Sequence, residues 1–146
     1  MNKKLINHLN HLITTSVYIT YPIVLFYLVY LRDARFWRVL LAPGISFVFV
    51  SIFRHYVNAP RPYEVADIEP IIEKETTGNS FPSRHVFSIF VIATTLYFIS
   101  KPLGILLMIA GVLLAILRVV GGVHFPRDVI AGAIIGIVSG ILGFYL

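Results

Sequence analysis

Three short clusters in this chain carry residue types suited to phosphate chemistry. The first is Arg54 in the run RHYVNAPRP, with Arg61-Pro62 seven residues on. The second is Pro82-Ser83-Arg84-His85. The third is LRVVGGVHFPRD, in which His124 follows Arg118 by six residues and Asp128 follows four later. Arginine is the side chain for bidentate recognition of phosphoryl oxygens. Ser83 is a natural N-cap, so the helix it starts would turn backbone N–H groups and a positive end towards an anion. Pro126 suits a first helical turn, which places His124 at a helix mouth and Asp128 within that turn. A carboxylate there can hold one imidazole nitrogen protonated and leave the other as base or nucleophile. Gly121 and Gly122 would let the backbone approach a ligand closely. Guanidiniums and a helix N-terminus around such a histidine describe a phosphoryl-transfer pocket, where electrostatic clamping does most of the work.

Each cluster also has a bland reading. Arg54 can be an arginine that snorkels to an interface, and His55 filler beside it. The run Pro82–His85 can be an ordinary capped helix with two interfacial polar residues. A lone His-x-x-x-Asp pair says little. The joint placement of the clusters decides, and that depends on the elements carrying them.

The 146 residues fit one domain, spanning 1–146. They are 58% hydrophobic and 13% charged, with mean hydropathy +0.85. Soluble domains run near half apolar and about a quarter charged, so neither a soluble enzyme nor a disordered chain fits. The absence of cysteine removes disulfide scaffolds, Cys-ligated metal sites and thiolate phosphatases, and with them any clue to redox compartment. A net charge of +5 would suggest nucleic acid in a soluble protein. Here long apolar runs interrupt the basic residues, so anionic lipid or phosphate-bearing partners fit better and no nucleic acid is expected.

Five apolar runs approach the roughly 20 residues that cross a bilayer as helix: Leu12–Leu31, Phe36–Val57, Val86–Ser100, Leu103–Val120 and Val129–Leu146. The third is short, and Pro82-Ser83 can start its helix earlier, inside a polar cavity. No strand-like alternation persists and no signal-peptide cleavage site follows Lys3-Lys4, so the expectation is an all-α, polytopic membrane helix bundle. Successive spans alternate direction. The connections after spans two and four therefore share a membrane face with the N-terminus, and all three clusters meet there. Polar complexity is concentrated in those two loops, where function is expected. The acids Glu64, Asp67, Glu69, Glu73 and Glu75 fit no cation-binding loop and read as a solvated lid.

In order and spacing the clusters resemble the signatures of the type 2 phosphatidic acid phosphatase family, which shares its core with the vanadium haloperoxidases. That family carries Lys, six residues, Arg-Pro; then Pro-Ser-Gly-His; then Ser-Arg, five residues, His, three residues, Asp. The match runs from span two to the end of the chain. Arg54 stands where the family has Lys, Arg84 where it has Gly, and Leu117 where it has Ser. The chain has five spans where many members have six. The resemblance implies that His124 attacks phosphorus to form a phosphohistidine, oriented by Asp128. It implies that His85 protonates the leaving lipid oxygen and then activates water. Arg54, Arg61, Ser83 and Arg118 would hold phosphoryl oxygens, with Arg84 an added cation, and no metal or cofactor is implied.

The expected function is therefore a membrane lipid phosphatase. Its candidate substrates are undecaprenyl diphosphate, phosphatidylglycerophosphate and phosphatidic acid, and Arg84 favours a diphosphate. The alternatives are an anion-binding membrane transporter, whose sites would lie in broken helices near the midplane, and a structural membrane protein. A vanadate haloperoxidase fits poorly, since those are large and soluble. Gly132, Gly136 and Gly140 form a small-residue stripe for close helix packing, which also offers a possible homo-oligomer contact. The compact turn Arg32–Arg38 favours that face as cytoplasmic, placing the active site on the extracytoplasmic side of the cell membrane.

Overall fold

A computed structural model describes residues 2–66, 68–72 and 77–146. Its helices are α1 (Lys3–Tyr30), α2 (Phe36–Val57), α3 (Pro62–Val65), α4 (Arg84–Tyr97), α5 (Lys101–Val120) and α6 (Pro126–Tyr145). Among the described residues there is no strand. Helix α1 begins nine residues before the apolar run at Leu12, because Asn2 caps it by accepting the Lys4 N–H at 2.9 Å. Its polar first turns lie beside the loops, where the Asn7 amide donates to the Ile71 carbonyl at 2.8 Å.

Four helices, α1, α2, α5 and α6, are long and apolar enough to cross a membrane. Their outer faces expose large apolar side chains such as Ile23, Phe26, Phe49 and Leu106. This is a multi-pass membrane protein. The third expected span is a different kind of element. Helix α4 starts at Arg84, as the Pro82-Ser83 cue indicated, and has 14 residues against 22 in α2. At 1.5 Å per residue it covers about 21 Å, too little to cross alone. It has no need to face lipid, because every residue from Val86 to Leu96 is buried among the surrounding helices.

That short central helix sets the depth of the site. Its C-terminal end is fixed at the far face, where Arg35 donates to the Phe98 carbonyl at 3.3 Å and Phe98 stacks on Phe144 at 4.5 Å. Being shorter than α2, α4 stops about 12 Å below the opposite end of that helix. Residues 77–83 descend into the recess so formed.

Glycines let α6 approach α4. A Cβ on Gly132 would meet the Ser83 carbonyl oxygen at 2.7 Å, on Gly136 the Phe87 carbonyl oxygen at 2.7 Å, and on Gly140 the Thr94 side chain at 2.6 Å. Close packing is thus what the stripe does. The stripe is therefore buried against α4 within one chain. Gly121 and Gly122 also differ from expectation. The Gly121 carbonyl accepts the Ile71 and Ile72 N–H groups at 2.9 and 3.2 Å, and Gly122 has φ +77°. They pin segment 68–72 over a small core of Ile6, Ile72 and Val123 rather than facing a ligand.

Candidate active site

The recess holds a cavity of about 170 Å³ lined by Arg54, Arg61, Thr77, Gly78, Asn79, Arg84, His85 and His124. All three sequence clusters contribute, as the parity of the spans required. Arg54, in the last turn of α2, is 7% exposed. Its Nη2 donates to the Asn79 carbonyl, while its Nε is buried without a hydrogen-bond partner. Arg61 is 3% exposed and holds the loops together, donating to the carbonyls of Gly78 at 2.9 Å, Val123 at 3.1 Å and Asn79 at 3.5 Å.

Arg84 and His85 bring the N-terminal end of α4 to the cavity. Arg84 is exposed, and its guanidinium lies 5.4 Å from the Phe47 ring centroid on α2. It is both a cavity-lining cation and a side chain resting on the lipid-facing flank. Ser83 is fully buried and does not line the cavity. Its Oγ accepts the Val86 N–H at 3.4 Å and its own N–H donates to the Asp128 carbonyl at 2.9 Å. Arg118 is 2% exposed and also stands off the lining. Its Nη1 donates to Asn10 at 3.4 Å, and its Nε and Nη2 are buried without hydrogen-bond partners.

His124 sits at the mouth of α6 with Asp128 one turn on and wholly buried, as the spacing predicted. The Asp128 Oδ2 lies 3.5 Å from His124 Nδ1 and accepts the Phe125 N–H at 2.8 Å. With Nδ1 turned to the carboxylate, Nε2 is the nitrogen left for the cavity. Burial pushes the His124 imidazole down to about 4, with Arg118 and Arg61 adding to that and Asp128 opposing it. The ring is therefore neutral at pH 7, the form in which a nitrogen lone pair is free.

Several contributors escaped the sequence reading. Ser80, fully buried, donates to Asp128 Oδ2 and lies 3.4 Å from His124 Nδ1. Gly78 and Asn79, with φ +68° and +52°, form the turn whose carbonyls receive Arg54 and Arg61. A Gly-Asn pair is a recognisable left-handed turn signal, whereas nothing in the sequence marks Ser80. Glu64 is exposed, as the solvated reading expects, but it also ties the loop together. Its Oε2 accepts the Arg61 N–H at 2.6 Å and the Gly78 N–H at 2.9 Å, tying the two ends of the loop. Glu69 is exposed, and Asp67, Glu73 and Glu75 lie outside the described residues.

The model of the PAP2 superfamily matches residues 35–146. The chain is 31% identical over 121 residues to an undecaprenyl-diphosphatase of Sulfolobus acidocaldarius, covering 82% of this chain and 59% of that protein. It is 35% identical over 79 residues to the bacitracin transport permease protein BcrC of Bacillus licheniformis, covering 54% of this chain and 38% of that one. It thus spans less than two thirds of the length of either relative. The crystal structure of Aquifex aeolicus LpxE superposes with a TM-score of 0.77 and 29% identity, over 99% of this chain and 93% of that one.

Proposed function

This chain belongs to the PAP2 superfamily, and from that premise we propose that it is a membrane lipid phosphatase acting through a phosphohistidine. The observation that carries the reading is the meeting of Arg54, Arg61, Arg84, His85 and His124 in one recess with Asp128 behind. His124 Nε2 attacks the terminal phosphorus, and the bond from that phosphorus to the leaving oxygen, which is the bridging oxygen in a lipid diphosphate, breaks with its electron pair on oxygen. The protonated His85 ring supplies that oxygen with a proton. Water then attacks the phosphohistidine while neutral His85 takes its proton. The phosphorus–nitrogen bond breaks, inorganic phosphate leaves, and the lone pair returns to Nε2. Asp128 stabilises the cationic phosphorylated ring through Nδ1–H.

Arg54, Arg61 and Arg84 clamp phosphoryl oxygens from the lining. Ser83 contributes by capping α4, and Arg118 by positive potential from behind the lining. The substrate is a polyprenyl diphosphate such as undecaprenyl diphosphate, in preference to phosphatidylglycerophosphate or phosphatidic acid. Two supports favour it: Arg84 adds a cation to the cavity lining, available to a second phosphate, and one relative bears the name undecaprenyl-diphosphatase. The site faces the extracytoplasmic side. The name of the Bacillus licheniformis relative favours a transport reading instead. Against it stand the four long helices, which run without a break at mid-length.

Protein purified in detergent is expected to release phosphate from a lipid diphosphate in the presence of EDTA. Loss of turnover on chelation would overturn the histidine mechanism. His124→Ala should abolish both turnover and acid-labile labelling by substrate phosphorus. His85→Ala should slow turnover yet still label with a good leaving group. Equal labelling of wild type and His124→Ala would refute the nucleophile.

A further inference from the structure

We infer that Ser80 is a positioning residue for His124, forming with Asp128 a two-part anchor for the imidazole Nδ1–H. The inference rests on the phosphohistidine reading above and assigns a role to a residue outside the three clusters.

Two oxygens face His124 Nδ1 at nearly equal distance, Asp128 Oδ2 at 3.5 Å and Ser80 Oγ at 3.4 Å, so neither alone holds the ring tightly. The Asp128 oxygen already accepts the Phe125 N–H at 2.8 Å. The Ser80 hydroxyl lies beside both groups, forming a triangle with Asp128 Oδ2 and His124 Nδ1. It donates to Asp128 Oδ2 and lies 3.4 Å from His124 Nδ1, so its oxygen can accept Nδ1–H while its proton goes to the carboxylate. A hydroxyl polarised by a carboxylate is the better acceptor for the ring.

The hydroxyl is placed by its backbone. The Ser80 N–H donates to the Ala59 carbonyl at 3.0 Å, and three residues on the Ser83 N–H donates to the Asp128 carbonyl at 2.9 Å. Ser80, His124 and Asp128 are all buried, with exposures of 0%, 2% and 0%, so bulk water does not compete for these contacts. With Nδ1 engaged, the ring keeps its Nδ1–H tautomer and points Nε2 at the cavity. Without the hydroxyl, Nδ1–H keeps one of its two acceptors, and both tautomer and ring angle loosen.

The test uses the whole protein in detergent and two readouts. In ¹⁵N-histidine spectra, with His124 assigned against His124→Gln, wild type should hold the Nδ1–H tautomer at pH 7. Ser80→Ala should add a clear Nε2–H population. In turnover, Ser80→Ala should lower kcat about 10- to 100-fold, the range of a misplaced catalytic group, with KM within about twofold. Added to Asp128→Asn it should cost less than about threefold more, because residues acting as one unit are non-additive. An unchanged tautomer, a kcat within about twofold of wild type, a loss confined to KM, or full additivity with Asp128→Asn would each overturn the proposal. If Ser80→Ala does not fold, Ser80→Cys, near-isosteric but weaker in hydrogen bonding, should show the same changes at smaller size. Wild-type behaviour of that variant would overturn the proposal equally. If wild type releases no phosphate, the phosphatase reading fails, and the tautomer measurement alone decides the role of Ser80.

Discussion

Gly132→Ala should damage turnover out of proportion to its effect on folding. The methyl group would stand 2.7 Å from the Ser83 carbonyl oxygen and 3.2 Å from the Phe87 nitrogen. Both are backbone atoms at the start of α4, with no flexible side chain to yield. An ordinary contact of 3.4 Å requires α6 and α4 to part by about 0.7 Å at this level. Asp128 lies one turn away on α6, and its carbonyl accepts the Ser83 N–H at 2.9 Å. The same parting stretches that bond to about 3.6 Å, past useful length. It also moves His124 and Asp128 on one side against His85 on the other. A misplacement near 1 Å costs about 100-fold in rate, so kcat should fall at least about tenfold. Overpacking itself costs roughly 1–3 kcal/mol of stability. Gly143→Ala is the control, because its Cβ would clash with Ala42 Cβ near the other end of α6, about 16 Å along the helix. Kinetics on a short-chain lipid phosphate, paired with thermal melts in detergent, should show both variants losing stability and only Gly132→Ala losing kcat tenfold. Should Gly132→Ala stay within twofold of wild type in kcat, or Gly143→Ala lose as much, the coupling of helix spacing to site geometry is wrong.

Three further outcomes are expected. Arg84→Gly should lower kcat/KM selectively on a polyprenyl diphosphate by about tenfold, or ~1.4 kcal/mol, relative to phosphatidic acid; an equal change on both would make Arg84 a general phosphate contact. His124, pushed down to about 4 when folded and near 6.5 when unfolded, makes the unfolded state the better proton binder between those values. Stability present above pH 6.5 should therefore be lost as pH falls towards 4, by roughly 3 kcal/mol, and melts of His124→Gln should lack that component or the reasoning fails. On the cysteine-free background, Cys at the exposed Thr77 should react with an impermeant thiol reagent in intact cells, and Cys at Asp33 should not; the reverse pattern would place the site in the cytoplasm.

The helices were legible because their hydropathy is one-sided over long runs, and Phe36–Val57 was placed at both ends. The start of α4 was legible from Pro82-Ser83, since a cap is a local signal. That α4 is short and wholly enclosed was not, because burial inside a bundle and burial in lipid select the same apolar residues. The site followed the same division. His124 and Asp128 lie one turn apart, so helical spacing alone placed them together. Ser80 reaches Asp128 across 48 residues, and Glu64 reaches Gly78 across 14. Such contacts depend on loop conformation, and no periodicity records them. The glycines show both cases: the stripe on α6 announced a close neighbour, while Gly121-Gly122 served a loop instead of a ligand.

The charge left inside the bundle leads to a last expectation. Among the described residues the buried charged side chains are Arg54, Arg61 and Arg118 against Asp128. Cations removed from water are costly unless paired, and loss of a partner typically costs 3–5 kcal/mol. Arg61 is satisfied by backbone carbonyls. Arg54 Nε and Arg118 Nε and Nη2 have no hydrogen-bond partner. Folding therefore concentrates positive potential around the recess, and a dianion entering it would offset part of that cost. Inorganic phosphate should raise the melting temperature in detergent, approaching about 2.7 kcal/mol of stabilisation at a hundredfold excess over its Kd. Sodium chloride at equal ionic strength should not reproduce the rise, because screening acts mainly on exposed charges. Arg54→Gln should remove most of the phosphate effect, since that guanidinium lines the cavity. Arg35→Gln should leave it intact, since Arg35 is at the far face, ion-paired to Asp33 at 2.7 Å. Equal stabilisation by chloride, or an undiminished phosphate effect in Arg54→Gln, would show that the buried arginines are not an anion site.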